Sequence, residues 1–132
     1  MQYAVDVNQA RLDAIESVTG ASAVLKIFSG AVPANCAAAD PSGLLCTMNL
    51  PADWMAAADT TPKKVMAGTW SGTASGGSST APQSFRIYST GGTVCKIQGT
   101  AGVAAGELQV NGSITSGQTV TVTSFQINAG NV

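Results

Sequence analysis

The chain has 132 residues, 45% of them hydrophobic and only 10% charged, with a net charge of −1 and no histidine. That length and apolar content suffice for one domain, residues 1–132, with a proper core. The scarcity of charge leaves no basic stripe for nucleic acid and few groups that titrate near neutrality.

Charge is also unevenly placed. Arg86, Lys96 and Glu107 are the only charged residues in the 68 from Val65 to Val132, where an ordinary domain has about a quarter. Ser, Thr, Gly, Asn and Gln replace them, so this half presents a neutral, hydrogen-bonding surface that costs little to desolvate against another protein. Asp6, Arg11, Asp13 and Glu16 interrupt the first sixteen residues, so no secretory signal is expected there. No run reaches the ~18 apolar residues of a membrane span. The expectation is a protein made in a cytoplasm and kept there or assembled from it, with neither membrane nor nucleic acid as partner.

In chain order, the first element is a helix over residues 9–19. Asn8 is its expected N-cap, Val7 and Leu12 a hydrophobic staple, and Gly20 its stop. Leu12, Ile15 and Val18 form one apolar stripe for packing on a sheet, with Arg11, Asp13 and Glu16 off it. Residues 23–29 read as a strand and 33–42 as loop. In residues 44–50, Leu44, Cys46, Met48 and Leu50 alternate with Leu45, Thr47 and Asn49, a half-buried strand. Residues 53–55 and 59–62 read as turns.

Residues 64–71 form a strand with Met66 and Trp70 on one face. Residues 71–82, nearly all small, read as a flexible Gly/Ser loop. Phe85 and Ile87 share a face of the strand 84–89, which Thr90-Gly91-Gly92 turns into 93–99 as a hairpin. Leu108 and Val110 mark a further strand, and Asn111-Gly112 a two-residue hairpin turn after it. In the last strand, 118–128, Val120 and Val122 have one parity and Phe125 and Ile127 the other. Either a β-bulge at Thr123-Ser124 restores a single buried face, or both faces are covered. This makes seven strands, eight if residues 2–5 pair with an edge. The fold class is mainly β, a single β-sandwich or jelly-roll-like domain with one short N-terminal helix.

Chemistry is sparse. Triads and dyads built on histidine are impossible, and no phosphate-binding glycine pattern occurs. The carboxylates sit where capping and turns explain them; Asp53, after Pro51-Ala52, reads as a cap or turn. Cys36, Cys46 and Cys95 are an odd number without metal-ligand spacing, and are expected as free, mostly buried thiols. A Cys36–Cys46 disulfide is the alternative. No catalytic residue, cofactor or metal is expected. Four aromatics could serve as interface anchors or stacking faces: Tyr3, Trp54, Trp70 and Tyr88. For Trp70, inside an alternating strand, core is favoured; for Trp54, core and interface are equally open.

The stretches RLDAIE (11–16), VLKIFSGAVPANCAAADPSGLL (24–45), LPADWMAAA (50–58), GTWSGTAS (68–75), FRIYSTGGTVCKIQGT (85–100) and QTVTVTSF (118–125) resemble small proteins of the structural gene modules of tailed bacteriophages and prophages. The resemblance spans nearly the whole chain. It implies a virion protein of the capsid decoration or cement type, with the major capsid protein as partner and a dimer or trimer of the chain on the particle. A tail- or fibre-associated carbohydrate- or receptor-binding module is the alternative, and a hydrolase a distant third. The resemblance transfers no functional residue.

Overall fold

The computed structural model describes residues 1–130. One helix, α1 (Val5–Thr19), precedes eight strands: β1 (Val24–Phe28), β2 (Leu44–Asn49), β3 (Lys63–Val65), β4 (Ser71–Thr73), β5 (Ser84–Tyr88), β6 (Cys95–Gly102), β7 (Leu108–Val110) and β8 (Thr119–Asn128). The strands join in the order β2-β1-β5-β6-β7-β8-β3, with β4 also on β8. All pairs are antiparallel except β6–β7. The result is mainly β, a strongly curled, half-barrel mixed sheet. It does not divide clearly into the two facing sheets of the expected sandwich. The curl brings β4 back to β2 through one bridge, Cys46 to Ala74. Gly72 permits this approach, since a Cβ there would meet the Met48 Cβ at 2.8 Å.

The concave side holds the core. Leu25, Ile27, Cys46, Met48, Phe85, Ile87, Leu108, Val110, Val120, Val122 and Phe125 line it together with Trp54 and Trp70. Trp70 links the aromatic rings, 5.9 Å from Trp54 and 5.3 Å from Phe125. The β8 bulge is present: Val110 faces Val122 while Gln109 faces Ser124, which leaves Thr123 as the extra residue. Val120, Val122 and Phe125 therefore share the buried face, and the two-sided alternative is excluded. A similar slip in β1–β2 pairs Phe28 with Leu44 and Ile27 with Cys46. It leaves Leu45 buried and Leu44 exposed, the reverse of the simple alternation.

Other expectations are corrected. The helix starts four residues early, at Val5, and Asn8 is a buried residue inside it rather than its N-cap. The Asn8 amide instead donates to the Tyr3 carbonyl and accepts from Arg11. Gly20 does end the helix, donating to the Glu16 carbonyl at positive φ. Of the stripe, only Leu12 is buried, and Val18 is 69% exposed. Residues 2–4 form no strand, and the expected strand 64–71 is split into β3 and β4. Asn111-Gly112 is not a two-residue hairpin, because β7 and β8 are joined by the longer segment 111–118. The Asn111 carboxamide oxygen closes that segment by accepting the Thr121 N–H. The supposed flexible loop 71–82 carries β4, and the backbone N–H groups of Ser75 and Gly76 donate to Leu45. Farther along, Thr80 pairs with Ile114. Its small residues serve close backbone contact.

Candidate functional site

Two buried cations fasten peripheral segments to the sheet. Lys64 on β3 is 2% exposed. Its Nζ lies 2.7 Å from Asp13 Oδ1 and 2.9 Å from Glu16 Oε2. The same carboxylates accept backbone N–H groups of Ala58 and Met55. The helix thus docks largely through acids that the apolar periodicity had set aside. The hydrogen bond from Lys64, then that from Ala58, holds Asp13 below the usual carboxylate range. Burial opposes the charge on Lys64, but the bonds to Asp13 and Glu16 prevail and hold it above the ordinary lysine value.

Arg86 plays the matching part on the convex face. Cross-strand neighbours point the same way, so Lys26, Arg86 and Gln98 form one row there and Val24, Tyr88 and Cys95 the next. Residues 30–43 lie over these rows as a strap. Arg86 Nη1 donates to the Ala38 carbonyl at 2.9 Å and Asp40 Oδ1 at 3.0 Å. Its Nη2 donates to the Asn35 carbonyl and Gln98 Oε1, both at 3.0 Å. Gln98 Nε2 donates to the Pro33 carbonyl, and the Tyr88 hydroxyl to Asp40. Burial pushes Asp40 up, but the Tyr88 and Arg86 bonds, aided by the Lys26 charge, bring it below the usual range. Burial and the bond to Asp40 push Tyr88 well above its ordinary value.

A cavity between β6 and β8 has another character. β7 is only three residues long, and it meets β6 only at Ala101 and Gly102 and β8 only over Val122–Phe125. Alongside it, residues 95–99 of β6 are paired on the β5 side alone, and residues 126–128 of β8 on the β3 side alone. The sheet parts there into a slit of about 600 Å³, floored by Phe85 and Phe125 and flanked by Ile97, Gln126 and Ile127, with Ile15 of the helix above. Glu107, also on the slit, is engaged by the backbone N–H of Thr100. Two facing strand edges with amide and aliphatic side chains can hydrogen-bond an extended, uncharged chain segment.

The four aromatics weighed as interface anchors are not brought together, and Trp70 takes the core place favoured for it. Trp54 and Trp70 lie wholly in the core, their indole N–H groups donating to the carbonyls of Gly20 and Ala67. Tyr88 is buried beneath the strap, with the Lys26 ammonium 4.6 Å from its ring centre. Only Tyr3 is at the surface, 39% exposed, with the Arg11 guanidinium 4.8 Å from its ring centre. Asp53 sits in an exposed bend. All three cysteines are free thiols, yet only Cys46 is buried; Cys36 and Cys95 are half-exposed. Among the described residues no three Cys, Asp or Glu cluster to hold a metal, and no helix is long and apolar enough to cross a membrane. Sequence reasoning missed Lys64, Arg86 and the slit. The short Leu108–Val110 alternation beside the much longer β8 was the one available sign of the last.

No family model, curated protein or solved structure matches this chain.

Proposed function

We propose that this protein is a capsid decoration protein of a tailed bacteriophage, which binds the head surface and stabilises the shell by bridging major capsid protein subunits. The observation that carries this reading is the outer surface of residues 65–130. Of its three charged residues, Arg86 is 1% exposed and consumed by the strap, so only Lys96 and Glu107 face solvent. Such a surface can be covered between subunits without stranding unpaired ions. Val65, Val94 and Val103 add scattered apolar contact on it. The slit is the most specific place for a partner, because an extended capsid segment there would complete two strand edges at once. The finer architecture proposed with this role is a jelly-roll-like shell, and on the particle a dimer or trimer of the chain.

Particles stripped of the protein should lose heat resistance and regain it on its return, with binding largely unaffected by raised salt because few ion pairs exist to screen. A Gln126→Arg variant, which sets a charge in the slit, should restore less. The tail or receptor-binding alternative called for paired exposed rings, whereas six of the seven aromatics are buried. Stripped particles that are equally stable but fail to adsorb to cells would nevertheless transfer the role to it.

A further inference from the structure

We propose that Cys36 and Cys95 form a reversible dithiol–disulfide pair that fastens the strap, residues 30–43, to β6. Cys95 stands opposite Tyr88 on the convex face, within the patch the strap covers. Cys36 is held over that patch from both sides. Before it, the carbonyls of Pro33 and Asn35 are gripped by Gln98 and Arg86; after it, Ala38 and Asp40 are gripped by Arg86. The Asn35 side chain accepts the N–H groups of Ala37 and Ala38, which fixes the turn that carries Cys36. Cys36 is the neighbour that, after burial, acts on the Cys95 thiol, and both thiols are partly exposed. Cys46 is no competitor. It pairs with Ile27 and lies in the core on the opposite face, which removes the Cys36–Cys46 alternative.

The order of events follows from the surroundings. Burial, then the Cys36 contact, pushes the Cys95 thiol up to about 12, which disfavours Cys95 as the first nucleophile. The oxidant is a low-molecular-weight disulfide such as oxidised glutathione. Cys36 loses its proton to solvent and attacks one sulfur of that disulfide, giving a mixed disulfide and releasing one thiolate, which solvent protonates. Cys95 then attacks the Cys36 sulfur and expels the second small thiolate, which takes up the Cys95 proton. Two protein thiols become one disulfide, and one small disulfide becomes two small thiols. The pairing does not depend on the capsid reading.

The test uses the whole chain, folded, treated with oxidised glutathione, then alkylated under denaturing conditions and weighed. Expected are a single alkyl adduct, on Cys46, and a peptide linking Cys36 to Cys95. Closure of a loop of about 60 residues should raise Tm by about 10 °C, reversed by dithiothreitol. Cys46→Ala should keep this rise, and Cys36→Ser and Cys95→Ser should each lose it. Glutathione adducts without an internal bridge, a bridge to Cys46, or a bridged protein whose Tm does not rise would overturn the proposal.

Discussion

Replacing Arg86 by methionine should loosen the strap by an amount the structure allows to be worked out. The guanidinium serves four acceptors, at Asn35, Ala38, Asp40 and Gln98. Bonds from a charged donor are worth about 1.5–3 kcal/mol each. Asp40 is 40% exposed and keeps Tyr88 and Lys26, so its share falls to about 1 kcal/mol or less. The other three, taken at the low end, contribute about 1.5 kcal/mol each. Against this, Arg86 Nε is buried without a partner among the described residues, a cost of about 1–3 kcal/mol that methionine relieves. The balance is a loss of about 3 kcal/mol. With a urea m value near 1.5 kcal/mol/M, the unfolding midpoint should fall by about 2 M at unchanged m. Arg86→Lys, reaching one or two acceptors, should lose about half as much. A midpoint shift below about 0.5 M for Arg86→Met, or a lysine variant worse than methionine, would refute the assignment of Arg86 as the strap's anchor.

Lys64→Met should leave Asp13 and Glu16 facing each other unneutralised and cost about 2 kcal/mol, less than the ~3–5 kcal/mol of a fully buried broken pair because Asp13 is half exposed. Adding Glu16→Leu should recover part of this, as read by urea denaturation. Asp13 and Asp40 are held below their unfolded values, so their contribution is full above about pH 4 and is lost as pH falls through the folded values; thermal melts from pH 6 to pH 2 should show the decline. Lys64 is held above its unfolded value, so its contribution is present at neutral pH and lost only in alkali above that value, which melts from pH 9 to pH 12 check. Gly72→Val should cost about 2–3 kcal/mol through overpacking against Met48, whereas residues 71–82 of the unaltered protein should resist brief proteolysis.

Features decided by neighbours in sequence were legible in it. The opposed parities of Val120-Val122 and Phe125-Ile127 could be reconciled by a bulge, and Thr123 is that extra residue. The Thr90-Gly91-Gly92 turn closes β5 onto β6 as its composition indicates. Features decided by distant partners were not. The acids of α1 look solvated until Lys64, 51 residues from Asp13, is placed beneath them. Glycine in residues 71–82 signals freedom and close approach equally well, and only the position of Met48 separates the two. For the candidate site, the neutral surface was visible in composition, but three of the four proposed aromatic anchors are spent in packing. The slit escaped because it is defined by where β7 stops rather than by any residue type.

The return of β4 to β2 bears on how such a protein can be crowded. A domain with so little charge has weak repulsion between copies, and open strand margins would let them zip into fibres. Here β2 is met by Ala74, Ser75 and Gly76. The far margin of β3 is capped by backbone N–H groups of Ala56 and Asp59, which donate to Val65 and Lys63. Among the described residues, the stretches of β6 and β8 beside the recessed slit keep a side without a strand partner. In the proposed capsid role, curvature would take over from charge the task of keeping copies apart while the neutral exterior is tiled at high density.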